Sequence, residues 1–185
     1  MKTDEEFIER IKKGNISAFE YIVKKYKKKV YTIIFNIIRD TQDAEDLVQE
    51  VFLRVYSSIR RFKGRSNFYT WLYRISINVS FDYLKKNRRN LEFRDDFSIS
   101  VDAIEVEKGL GRKEIIEKIF DLANNLPKKQ KLIFILKFQN DFSNKEIGEI
   151  LGLSQDTVKA NLYHALKKIR DALKKEGFLR EEYYD

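Results

Sequence analysis

A chain of 185 residues with one proline and seven glycines has few places to stop a helix, because proline breaks helix interiors and glycine ends them. The apolar spacing agrees. Phe19, Ile22, Val23, Tyr26, Val30, Ile33, Ile34 and Ile37 recur at intervals of three and four across residues 17–38, the period of a helix with one buried stripe. Residues 3–13 open with Thr3 and Glu6, a capping box, and stop at Gly14. Further helices are expected from 41 to about 59, about 69 to 86, 112–126 and 128–140. The segment 132–138 (LIFILKF) has strand propensity, but nothing else in the chain offers it a pairing partner. The expected fold is all-α.

Charge narrows the function classes. The formal net charge is +8 with 36% charged residues, and the pI is near 9.4, so the surface attracts polyanions. Zero cysteines exclude disulfides and thiolate chemistry. No apolar run approaches the roughly 20 residues of a membrane span, and Lys2-Thr3-Asp4-Glu5-Glu6 is no signal peptide. A cytoplasmic protein without membrane insertion is the expectation. Residues 91–111 change character: Glu92, Asp95, Asp96, Asp102, Glu105 and Glu107 outnumber Arg94 and Lys108, with no clean period. They read as a flexible acidic linker between a first domain, 1–90, and a second, 112–185.

The second domain holds SNKEIGEILGLSQDTVKANLYHALKKIRDAL, from Ser143. Ser143 can cap a helix whose apolar positions are Ile147, Ile150 and Leu151. Gly152 can end it in the left-handed region, and Ser154 can cap the next helix. On that second helix Val158, Leu162, Ala165, Ile169 and Ala172 form one stripe, and Lys159, Ala160, Tyr163, His164 and Lys167 the opposite side. Two readings fit: a helix-turn-helix whose basic face enters a DNA major groove, or a helical hairpin with a solvated lysine face.

The first domain carries two anomalies. Residues 41–59 have the stripe Ala44, Leu47, Val48, Val51, Phe52, Val55 and Ile59, which leaves Leu53 on the far side among Asp46, Gln49, Glu50 and Tyr56. A leucine there suggests a protein-binding patch, although lone surface leucines are common. Asp43, Asp46 and Glu50 also have the spacing of a metal or acid–base site. The single histidine, His164, lies far off, and first-turn carboxylates are favoured by the helix dipole alone. No metal, cofactor or catalytic residue is expected.

The other anomaly is RFKGRSNFYTWLYRISIN, residues 61–78. Phe62, Phe68, Tyr69, Trp71 and Tyr73 interleave with Arg61, Lys63, Arg65 and Arg74 around a glycine. The helix that follows is expected to bury Leu72, Ile75, Val79 and Tyr83 and to show Trp71, Arg74, Asn78, Phe81 and Lys85. Rings that stack on unpaired bases, with cations for the backbone, suit single-stranded nucleic acid.

At these residues the chain resembles a known family. Asp43 through Phe52, Gly64 through Arg74, Asn78 and Asp82-Tyr83-Leu84 resemble the second conserved region of bacterial sigma factors, and Leu126-Pro127 to Arg170 resemble the fourth. The layout, with only a linker between the blocks, is similar to the small extracytoplasmic-function (group four) class. The resemblance implies a transcription initiation factor without enzyme activity, whose partners are core RNA polymerase, promoter DNA and an anti-sigma factor. It implies that Asp46, Gln49, Glu50, Phe52, Leu53 and Tyr56 dock on the β′ clamp helices, with the β flap a further polymerase contact. Phe62, Arg65, Ser66, Asn67, Phe68, Trp71, Tyr73, Arg74 and Asn78 would hold and border the melted −10 element. Thr157, Lys159, Ala160, Asn161, Tyr163, His164 and Lys167 would meet the duplex −35 element. The family often has arginine where this chain has Lys159 and His164, so the −35 sequence does not carry over. A free-standing helix-turn-helix regulator is the alternative, and a metal-dependent nuclease a more distant one.

Overall fold

The computed structural model describes residues 3–87 and 110–178, with side chains from residue 114 onward in the second stretch. The chain forms two compact units, Met1–Asp95 and Asp96–Asp185. Among the described residues every regular element is helical. The expected acidic linker falls outside them, except that Leu110 and Gly111 already belong to a helix.

The first unit contains α1 (Asp4–Lys12), α2 (Ile16–Ile38), α3 (Thr41–Ser58), a 3₁₀ turn (Ile59–Arg61) and α4 (Phe68–Lys86). Its boundaries follow side-chain caps. Thr3, Asn15, Asp40 and Asn67 each accept a hydrogen bond from a backbone N–H in the first turn that follows, which satisfies a donor the helix cannot. Helix α2 is the centre, packed against α1, α3 and α4. Its expected stripe is the core: Ile22, Tyr26, Val30, Ile33, Ile34 and Ile37 are buried. Each such isoleucine gains about 1.5–3 kcal/mol over exposure.

The second unit contains α5 (Leu110–Ala123), α6 (Lys128–Phe138), α7 (Asn144–Leu151) and α8 (Gln155–Lys175). Helix α8 lies against the other three. The segment with strand propensity is helical, and Leu132, Ile133, Phe134, Ile135 and Leu136 are all buried. A helix enclosed on every side needs no polar face, so its sequence carries no helical period. Lys131 is buried with them, its ammonium donating to the Asn124 carbonyl at 3.1 Å just beyond α5.

Candidate nucleic-acid interface

The turn between α7 and α8 fixes the second unit's exposed face. Ser143 and Glu146 close a reciprocal capping box on α7. Gly152 ends that helix at φ 66°, and its N–H donates to the Gly148 carbonyl. Leu153 N–H donates to the same carbonyl at 2.9 Å. Gly148, inside α7, had no reading from the sequence: a Cβ there would lie 2.6 Å from the Leu153 carbonyl oxygen. Two glycines four apart therefore make the turn, one by its left-handed backbone and one by its missing side chain.

Ser154 then caps α8 through the Thr157 N–H at 3.1 Å. Val158, Leu162, Ala165 and Ile169 are buried. Leu173, rather than the expected Ala172, completes the stripe. The opposite side stands in solvent. Lys159, Ala160, Tyr163, His164 and Lys167 are exposed, Tyr163 by 62%. Thr157 is half-buried, its hydroxyl 2.7 Å from that of Ser154. Asn161 is half-buried too, and its amide donates to the Thr157 carbonyl at 2.8 Å, leaving its oxygen uncommitted by that bond.

In the first unit, α3 presents the expected leucine. Leu53 is 70% exposed, and Asp46, Gln49 and Tyr56 are exposed with it. Phe52 is a correction: it is buried, its ring 6.4 Å from that of Phe19. It supports the surface from beneath. Phe19 also meets the Tyr56 ring edge-on at 4.9 Å, which limits where Tyr56 can point. Glu50 pairs with Arg54 at 2.5 Å, and Arg54 reaches Asp82 of α4 at 3.5 Å. Asp43 accepts from the Tyr83 hydroxyl. Those bonds commit two of the three carboxylates weighed as a metal site to protein partners.

The aromatic stretch divides in two. After a left-handed Gly64, Asn67 caps α4 by accepting from Thr70 N–H at 2.6 Å. The rings of Phe62 and Trp71 lie 4.9 Å apart, and each lies about 6 Å from Phe68, at 6.1 and 5.8 Å. Phe62 and Trp71 are half-buried, whereas Phe68 is buried. Arg74 and Asn78, three and seven positions beyond Trp71, are exposed on its side of the helix, followed by Phe81 and Lys85. Arg65 is exposed and Ser66 half-buried in the preceding loop.

Tyr73 does not join that surface. It is fully buried, and its hydroxyl accepts from Tyr69 at 3.0 Å. The buried arc of α4 runs through Leu72, Tyr73, Ser76, Ile77, Val79 and Ser80, with Ile75 and Tyr83 only half-buried at its margins. The expected inward stripe is thus rotated toward the tyrosine. Phe68 and Tyr73 are corrected from base-contacting residues to the core beneath them.

A set of contacts absent from the sequence reading extends this core into α2. Tyr26 lies 5.8 Å from Phe68 and stacks on Tyr69 at 5.6 Å. Its hydroxyl donates to Asp4, whose other oxygen takes the Lys25 ammonium at 2.5 Å. Burial, reinforced by the Asp4 carboxylate, holds the Tyr26 hydroxyl far above its ordinary pKa. Burial first, then the bond to Asp43, pushes Tyr83 up to about 12.

Known proteins share this arrangement. The family description "Sigma-70 region 2" matches residues 22–90, and "Sigma-70, region 4" matches 116–169. The RNA polymerase sigma-H factor of Pseudomonas aeruginosa is 30% identical over 96% of this chain and 96% of its own. The ECF RNA polymerase sigma factor SigW of Bacillus subtilis is 31% identical over 90% and 95%. Among solved structures, CnrH in complex with the cytosolic domain of CnrY has a TM-score of 0.67 at 20% identity, covering 93% of this chain and 97% of that one. RpoE of Bartonella quintana, solved with the anti-sigma factor NepR, has a TM-score of 0.64 at 20% identity over 84% and 96%. With both conserved regions present in order and relatives matched along almost the whole chain, the protein belongs to the sigma-70 family of RNA polymerase sigma factors, in its extracytoplasmic-function class.

Proposed function

We propose that this chain binds core RNA polymerase through the exposed face of α3 and directs it to two-part promoters, α8 meeting duplex −35 DNA and α4 holding the opened −10 strand. The half-buried Trp71–Phe62 pair beside the exposed Arg74 and Asn78 carries this reading. Rings that reach the surface and are flanked by a cation and an amide serve an unpaired base, for which a duplex-only binder has no use. Extruding a base costs a few kcal/mol and stacking returns about 1–3, so such a platform lowers the barrier to opening. Arg65, Ser66 and Asn67 shape its entrance. On α8, Lys159, Ala160, Asn161, Tyr163 and His164 face the base edges, while Thr157 and Lys167 hold the backbone. Asp46, Gln49, Leu53 and Tyr56, with the Arg54-paired Glu50, form the polymerase contact on the β′ clamp helices. The second unit meets the β flap. An anti-sigma factor belongs to the same reading, as does action in the cytoplasm; no helix of the described residues is long and apolar enough to cross a membrane. Sigma factors are generally non-catalytic initiation factors.

One experiment tests the assignment: run-off transcription with core polymerase on fully paired and pre-melted promoters, side by side. Leu53→Asp should lose product on both templates, since no holoenzyme forms. Asn78→Ala and Trp71→Ala should lose more on the paired template, because the mismatch removes the cost of unpairing. Wild-type output from all three variants on the paired template would sink the assignment.

A further inference from the structure

Between Tyr21 and Arg39 the chain holds no acidic residue, yet Lys24, Lys25, Lys27, Lys28 and Lys29 crowd into two turns of α2. All five are exposed. Pairs such as Lys24–Lys28 and Lys25–Lys29 stand at i,i+4, where like charges repel and weaken the helix. A solvated face needs no such run, and ion pairing is sparse: among the described residues only Lys25 of the five is paired, with Asp4, although Glu20 stands one turn before Lys24. Unrelieved positive charge at that density is complementary to a polyanion.

Position says which polyanion. At about 100° per residue, Lys25 and Lys29 fall on one flank of α2 and Lys27 on the other, with Lys24 and Lys28 between them. The first flank borders the start of α4. The Lys29 ammonium lies 5.1 Å from the centre of the Tyr69 ring. From Tyr69 a chain of rings runs through Tyr26 at 5.6 Å and Phe68 at 5.8 Å to Trp71 at 5.8 Å. The lysine flank is therefore the margin of the same aromatic cluster that carries the single-strand platform.

We propose that the Lys25–Lys29 flank of α2 is a second part of the single-strand site, taking the phosphates of nucleotides that run past the base platform. The proposal rests on the function assigned to Trp71 above. It assigns α2 a backbone contact without base readout, so affinity there depends on strand length and salt and not on sequence.

The test uses the full chain and fluorescent oligothymidylates of about 4 and about 16 nucleotides, the range of single-strand site sizes, titrated across salt. Lys25→Gln/Lys29→Gln is compared with Lys24→Gln/Lys27→Gln, which removes the same charge away from that flank, and with Trp71→Ala. Glutamine keeps helix propensity, and thermal unfolding of each variant checks that the fold is kept. For the long strand the first pair should lower the slope of log affinity against log salt by about 1.4, two contacts at roughly 0.7 each, and the second pair should leave it near wild type. Neither pair should matter for the short strand. Equal losses from both pairs would reduce the effect to net charge and overturn the track, as would failure of the wild type to bind the long strand. Loss with the lysine pair but wild-type binding by Trp71→Ala would keep the track and remove the ring platform instead.

Discussion

Helices α4 and α8 both turn a basic face with aromatic rings to solvent, yet burial reaches round them to different extents. Helix α8 touches α5, α6 and α7 yet buries only one stripe, Val158, Leu162, Ala165, Ile169 and Leu173, so polar and apolar residues separate cleanly around it. Helix α4 is wedged against both α2 and α3. Its buried arc takes in Thr70, Ser76 and Ser80 as well as Tyr73. Those serines are tolerated because each returns its hydroxyl to a backbone carbonyl one turn back, Ser76 to Leu72 and Ser80 to Ser76, both at 2.9 Å. A narrow contact leaves a period in the sequence. A broad one, lined with self-satisfied polar groups, hides it.

The sharpest way to break this contrast is to cut one tyrosine from each helix. Tyr73→Ala should cost about 3–5 kcal/mol, as for a large ring removed from a core, whereas Tyr163→Ala should stay within about 0.5 kcal/mol. Urea unfolding of the full chain reads both. A Tyr73→Ala protein as stable as wild type would put that ring back at the surface with Trp71.

Next in size is the turn that aims α8. Gly148→Ala pushes a methyl against the Leu153 carbonyl, and backbone cannot yield as a flexible side chain does. A loss of about 1–3 kcal/mol is expected, with weaker −35 duplex binding as α8 shifts. Unchanged thermal unfolding and duplex affinity would show that the turn gives way freely.

Smallest is a pH effect confined to the first unit. The bond between Tyr83 and Asp43 ties α4 to α3, and the fold favours the neutral hydroxyl. Its contribution is complete below the ordinary value of 10.0 and is lost as pH rises through about 12. Tyr83→Phe should therefore flatten the fall in the first unit's stability across that window and leave the second unit's transition in place. Identical alkaline profiles for variant and wild type, followed by circular dichroism, would remove the bond from the account.

How much was legible follows the same divide. The caps of α7 and α8, the left-handed Gly152 and the exposed Lys159–Lys167 face were readable because each depends on residues within a turn of one another. So was Leu53, since α3 also packs along a regular stripe. Phe52 was readable as core, but the family resemblance also made it a contact residue, and burial decides for core. Phe68 and Tyr73 were misassigned because ring composition says nothing of which ring lies underneath. Gly148 carried no local signal at all: its necessity comes from the Leu153 carbonyl, five residues on, folding back against it.

The sequence by itself determined the all-helical character of the described residues, the helix-turn-helix with its caps, and the family, since capping, glycine backbone freedom and helical period act over a few residues. It placed both ends of α5 and the far end of α6 two or three residues off. Only the tertiary structure decided which aromatics form the floor and which the surface of the α4 site. It alone joined Asp4, Tyr26 and Tyr69 to that floor, and so placed the α2 lysines at its edge. Those contacts link residues more than twenty positions apart in the chain, and their energy depends on how α1, α2 and α4 pack, which no local pattern encodes.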